Sequence, residues 1–139
     1  MVAGMPPGRF MGIDYGTKRI GVSVSDENCT LAFPKEIVPN DEGAFGRLGE
    51  IIREENVSEI VVGESVDFKG KLNKLSDEIE VFISGLKERF KLPVYKEKEF
   101  LTSVEARRYQ TKPGRADASA AALILQRYLD RKNQNDLSR

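Results

Sequence analysis

The segment Phe10-Met-Gly-Ile-Asp14-Tyr-Gly-Thr-Lys-Arg-Ile-Gly-Val-Ser-Val-Ser25-Asp26 constrains the fold more than any other stretch of the chain. Two apolar runs flank Tyr15-Gly16-Thr17-Lys18, and the second, Ile20 to Val24, alternates β-branched residues with the small Gly21 and Ser23. That pattern predicts a β-hairpin with a Gly-containing turn, its strands running from Arg9 to Ile13 and from Arg19 to Ser25. Asp14 closes the first strand. A carboxylate at the end of an apolar strand is costly to bury unless a cation or hydrogen-bond donors meet it. What meets Asp14 is therefore the question to put to the rest of the chain.

Downstream, Asp26-Glu27-Asn28 reads as a turn. Cys29 to Val38 reads as a third strand, and its Pro34 suits a sheet edge. Pro39-Asn40-Asp41 supplies helix-start chemistry, and Phe45, Leu48, Ile51 and Ile52 follow at helical spacing to near Asn56. Glu59 to Gly63 is a short apolar run of the kind found in buried parallel strands. Glu64 to Gly70 reads as a polar loop. Lys71 to Phe90 carries one stripe of Leu72, Leu75, Ile79, Phe82, Ile83 and Leu86, so it predicts a long amphipathic helix. Leu92 to Tyr95 is a further short strand, and the chain continues through Lys96-Glu-Lys-Glu99-Phe100. Thr102-Ser-Val-Glu105 is a capping box that opens a helix to about Tyr109. Lys112-Pro-Gly-Arg115 breaks it, and Ala116 to about Arg131 is the last helix. Its Ala118, Ala121, Ala122 and Leu125 share a face small enough to lie close against strands.

This order predicts an α/β fold with a mixed five-stranded sheet. A three-strand antiparallel meander is joined by two parallel strands, with helices on both faces. At 139 residues the expectation is one domain, with residues 1–8 and 133–139 as flexible tails.

Composition removes several chemistries. The chain has no histidine, which excludes the Ser-His-Asp triad, the Cys-His pair and His-ligated zinc. Cys29 is the only cysteine, so there is no internal disulfide and no multi-cysteine zinc site. No apolar run approaches the ~20 residues that span a bilayer, and Met1 to Gly8 has no basic segment followed by an apolar one, so a secretory signal is not expected. A cytoplasmic location without membrane contact is expected. The formal net charge of zero argues against a sequence-independent grip on nucleic acid through the whole surface. The charge is uneven, however: Asp41 to Asp67 holds eight acidic and two basic residues, Leu101 to Arg139 eight basic and four acidic. One basic face remains available, although two solvated helix faces would give the same tally.

Three carboxylates stand out by position. Asp14 ends the first strand, Glu99 ends the fifth, and Asp117 lies in the first turn of the last helix. Converging carboxylates raise one another's pKa unless something compensates, and a hard divalent cation does so. Two such ions can clamp the attacking and leaving oxygens of a phosphodiester, without histidine. Each residue also has a plainer reading. Asp14 would bond the backbone of its own turn, Glu99 would belong to a solvated charged run, and Asp117 would favour the helix dipole.

Three stretches are similar to the YqgF family. They are Gly12-Ile-Asp14-Tyr-Gly-Thr-Lys-Arg-Ile-Gly-Val-Ser-Val-Ser-Asp26, Leu101-Thr-Ser-Val-Glu-Ala106, and Asp117-Ala-Ser-Ala-Ala-Ala-Leu-Ile-Leu-Gln126 with Tyr128-Leu129 after it. The resemblance runs from about Arg9 to Asp130. It implies a ribonuclease H-like nuclease that processes the 5′ end of pre-16S rRNA or resolves Holliday junctions. It implies Asp14, Glu99 and Asp117 as catalytic and metal-binding residues for Mg²⁺ or Mn²⁺. Thr17, Lys18 and Arg19 then contact substrate, which is structured RNA, within ribosomal precursor particles, or branched DNA. Asp26 also matches a family position, where a turn-capping role is an equal reading. Two departures stand out: Lys98-Glu99-Phe100 replaces the family's Asp-Glu-Arg, and Gly63-Glu64-Ser65 lacks its proline.

An Asp-x-Gly-Thr hairpin also opens sugar kinases and actin-like ATPases, but those close two such domains around a nucleotide and 139 residues are long enough for only one. A non-catalytic nucleic-acid-binding assembly factor is the other alternative. Symmetric junction cleavage calls for a two-fold homodimer, whereas RNA processing can be done by a monomer.

Overall fold

The computed structural model describes residues 8–66, 75–100 and 117–137, with backbone alone at 65–66, 75–76, 99–100 and 135–137. The hairpin is formed by β1 (Arg9–Tyr15) and β2 (Arg19–Ser25). They pair antiparallel, with Gly12 opposite Ser23 and Asp14 opposite Gly21. β3 (Ala32–Pro39) pairs antiparallel with β2 and forms a sheet edge. Pro34 and Pro39 remove two donors from it, which guards that edge against further pairing. After α1 (Ala44–Glu54), β4 (Val57–Val66) runs parallel to β1. α2 (Leu75–Phe90) then leads to β5 (Val94–Phe100), parallel to β4. α3 (Ala118–Leu137) closes the described chain. The sheet order is β3-β2-β1-β4-β5, the mixed five-stranded sheet expected from the sequence.

Strand alternation splits the core in two. Met11, Ile13, Ile20, Val22, Ile60 and Val62 face α1 and α2 and pack on Leu48, Ile51, Phe82 and Leu86. On the other face Phe10 and Val61 meet Ile124, Leu125 and Leu129 of α3. That second face is low because it is built from small residues. A Cβ at Gly12 would lie 2.7 Å from Leu125 Cβ, and one at Gly63 would lie 2.5 Å from Ile124 Cδ1. Ser23 Oγ donates to the Ala121 carbonyl at 2.8 Å. The close approach expected of α3 therefore depends on the strands' missing side chains as much as on the helix's alanines.

Four boundaries differ from the sequence reading. β4 continues through Val66 where a polar loop was expected, because β5 supplies its ladder partners at Glu64, Ser65 and Val66. The charged run Lys96 to Phe100 is strand, not a tail to one, for the same reason. α1 begins at Ala44 rather than at Pro39-Asn40-Asp41, since β3 runs through Pro39. The last helix starts at Ala118 and reaches Leu137, six residues past the expected end. The capped helix at Thr102 and the break at Lys112 to Arg115 lie outside the described residues.

Candidate active site

Asp14 sits on the α3 face at the end of β1 and is 8% exposed. Its Oδ2 accepts a hydrogen bond from the Asp117 backbone N–H at 3.2 Å. The close approach has a specific cause. Gly21 lies opposite Asp14 in the hairpin, and a Cβ there would stand 2.0 Å from the Asp117 carbonyl oxygen. Glycine at that position lets the start of α3 come down onto β2, which carries Asp117 to Asp14. The sequence reading used Gly21 only as a small residue in an alternating strand. Its pairing with Asp14 was the signal available, once the hairpin register is drawn.

Asp117 is the residue before α3, not part of its first turn. Its Oδ1 accepts the Ala120 N–H at 2.7 Å, which makes it the N-cap. The helix-terminus role weighed from sequence is thus present, alongside the contact with Asp14. Glu99 occupies the penultimate position of β5, paired with Ser65, one strand beyond β4 from Asp14. Its side chain lies outside the described residues. Among the described residues, no group of three or more His, Cys, Asp or Glu is placed to hold a metal ion.

Thr17, Lys18 and Arg19 are exposed at the hairpin turn, at the same end of the sheet as Asp14. The turn is bracketed by one residue that sequence reasoning did not single out. Asn40 Nδ2 donates to the Gly16 carbonyl at 2.8 Å, and its backbone N–H to the Lys18 carbonyl at 2.9 Å. Both carbonyls flanking Thr17 are thus anchored from outside the hairpin. Asp26 is turned away from this chemistry. It accepts the Thr30 and Leu31 N–H groups and the Thr30 hydroxyl, which is the turn-capping role. These donors, the Thr30 amide foremost, hold its carboxyl below the usual range against the opposing effect of burial.

Two further buried carboxylates were missed, because they lie in stretches read as solvated. Glu64 is 8% exposed at the end of β4 and faces Lys96 Nζ at 3.7 Å, on the α2 side. Glu97 is 4% exposed on β5 and is paired with Arg131 of α3. Tyr95, beside it, donates to Glu59 at 2.7 Å, and that bond leads the causes pushing its phenol up to about 12.

A β3-β2-β1-β4-β5 sheet with α3 laid over a β1 carboxylate belongs to the ribonuclease H-like class. Thermus thermophilus RuvC in complex with Holliday junction substrate shares the fold, with a TM-score of 0.54 at 17% identity, over 91% of this chain and 96% of that one. The chain is a member of the RuvX (YqgF) family of Holliday junction resolvases, whose model matches residues 8–131. A relative from Geobacillus thermodenitrificans is 40% identical over 136 residues, 89% of this chain and 99% of its own. One from Ruminiclostridium cellulolyticum is 36% identical over 134 residues, 88% and 94% of the two chains. Both carry the name "Putative pre-16S rRNA nuclease". The family is one of hydrolases that act on nucleic acid. No described helix is long and apolar enough to cross a membrane.

Proposed function

We propose that this chain is a divalent-metal-dependent nuclease that processes the 5′ end of pre-16S rRNA. The observation that carries the proposal is the contact between Asp14 and Asp117, residues 103 positions apart that meet at the end of β1. The Asp117 amide meets one oxygen of the nearly buried Asp14 carboxylate and brings a second carboxylate-bearing residue to the end of β1, an all-oxygen setting that suits a cation. The donors suit a hard ion: they are oxygens, and Cys29 lies elsewhere, beside Ser25 and the Gly8 carbonyl. Asp14, Asp117 and Glu99 would hold Mg²⁺ or Mn²⁺, Glu99 by virtue of its place on β5.

Held there, such ions would supply Lewis-acid polarisation of the scissile phosphate and a lowered pKa for the attacking water. The chain's own residues do the rest. One Asp117 oxygen caps α3, so its other oxygen is the one to offer a cation. Asp14 is oriented by the Asp117 amide, which donates to its Oδ2. Lys18 and Arg19 bring positive charge to the backbone phosphates, and Thr17 a hydroxyl donor, on a turn that Asn40 keeps in shape. A monomer suffices for this reaction on an RNA leader, within a ribosomal precursor particle in the cytoplasm.

The test is cleavage of two labelled substrates, a pre-16S rRNA 5′ leader and a four-way DNA junction. Each is incubated with Mn²⁺, with Mg²⁺ and with EDTA, and beside the Asp14→Asn protein. Metal-dependent cutting of the leader that Asp14→Asn abolishes is the expected result. Cutting of the junction instead assigns a resolvase. Binding without cutting, unchanged in Asp14→Asn, leaves a non-catalytic nucleic-acid-binding module and refutes the nuclease.

A further inference from the structure

β5 is the edge strand on the β4 side of the sheet, and it carries position 99. It is pinned on both faces by charged side chains. On the α2 face Lys96 reaches Glu80 and Glu64. On the α3 face Arg131 takes both oxygens of Glu97, with Nη1 at 2.8 Å from Oε2 and Nη2 on Oε1. The second contact is the unusual one. The Glu97 side chain keeps 5% of its exposure and the Arg131 side chain 56%, so the carboxylate is desolvated and, among the described residues, is met by that guanidinium. Arg131 also lies over the Tyr128 ring, 5.8 Å from its centroid, and Tyr128 stacks on Tyr95 of β5.

A pair of this kind is a poor source of stability. The cost of desolvating the carboxylate offsets much of the attraction, and apolar residues of similar volume often do as well. What a bidentate fork supplies beyond energy is direction. It fixes a strand in register and angle against a helix. Here the strand position fixed is two residues before Glu99, and the helix is the one capped by Asp117.

The geometry points to Glu97 and Arg131 as a positioning pair, a latch that locks β5 to α3 and so sets the spacing between the metal-holding residues at their ends. This rests on the metal-dependent reading proposed above. Neither residue touches the reacting atoms. They act through the strand and the helix they join: Glu97 stands two residues before Glu99, and Arg131 fourteen residues after Asp117.

The experiment measures Mn²⁺ binding to the full chain by calorimetric titration, together with the melting temperature and cleavage, for four proteins. These are the wild type, Arg131→Lys, the apolar double variant Glu97→Leu/Arg131→Met, and Asp14→Asn. Arg131→Lys keeps the charge and loses the fork; the double variant removes both charges and keeps the volume, which guards against loss of folding from an orphaned carboxylate. A weakening of Mn²⁺ binding by about 2- to 30-fold in both, with the double variant melting near the wild type, is expected. Wild-type Mn²⁺ affinity in Arg131→Lys and the double variant, where Asp14→Asn has lost it, overturns the latch and leaves the metal site standing. If wild type itself takes up no Mn²⁺ and cuts nothing, the metal reading fails, and the latch with it.

Discussion

Replacing Gly21 by alanine tests whether the descent of α3 onto β2 is what makes the site. A Cβ at that position would stand 2.0 Å from the Asp117 carbonyl oxygen and 2.4 Å from its carbonyl carbon. A carbon and a carbonyl oxygen approach to roughly 3.3 Å, so the start of α3 must retreat by about 1.3 Å. The obstruction is backbone and cannot swing aside like the end of a side chain. The Asp117 amide already stands 3.2 Å from Asp14 Oδ2, and a retreat of that size breaks the contact. Strain of this kind costs about 1–3 kcal/mol. For 139 residues, that lowers the melting temperature by roughly 3–10 °C. The effect on cleavage is larger, because a displacement of about 1 Å at a catalytic group can cost roughly a hundredfold in rate. Gly46→Ala is the control: it lies within α1 and a Cβ there meets nothing within 4 Å. That variant should cut at the wild-type rate and be more stable by up to about 1 kcal/mol. The assay is single-turnover cleavage of the labelled 5′ leader with parallel thermal melts. Gly21→Ala cutting at the wild-type rate would refute the reasoning, whatever its melting temperature.

Two other substitutions test the packing and the turn. Ile124, 1% exposed, fills the notch above Gly63, where the strand has no side chain with which to close a cavity; Ile124→Ala should cost about 2–5 kcal/mol in urea denaturation, and a loss under 1 kcal/mol would show the notch collapsing. Asp26 has a folded pKa below its unfolded value of about 3.9, so its stabilisation is complete above that value and disappears as pH falls through the folded one. Asp26→Ala should therefore be less stable than wild type by about 1 kcal/mol at pH 7, with the gap narrowing as pH falls below about 3.9, and a gap that stays constant would remove the carboxylate from the account.

The hairpin, the order of the described elements and the edge position of β3 were legible in the chain because each rests on local chemistry. Alternation in Ile20 to Val24 writes a strand whatever surrounds it, and Pro34 rules out a central ladder position by lacking a donor. Asp14 was conspicuous for the same reason, a charge closing an apolar run. Lys96-Glu-Lys-Glu99 has no such mark. It is strand because β4 offers it a parallel ladder, and Glu97 is buried because Arg131, 34 residues on, reaches it. Glu64 was taken for loop because its Lys96 partner lies on another strand. The three stretches that carry the family resemblance named the candidate carboxylates, but not how they meet. That Asp117 caps α3 while its amide holds Asp14 follows from a glycine in β2 that leaves room for a helix almost a hundred residues later. Backbone conformation is chosen within a few residues and can be read there; a contact made by the absence of a side chain exists only once the two surfaces are brought together.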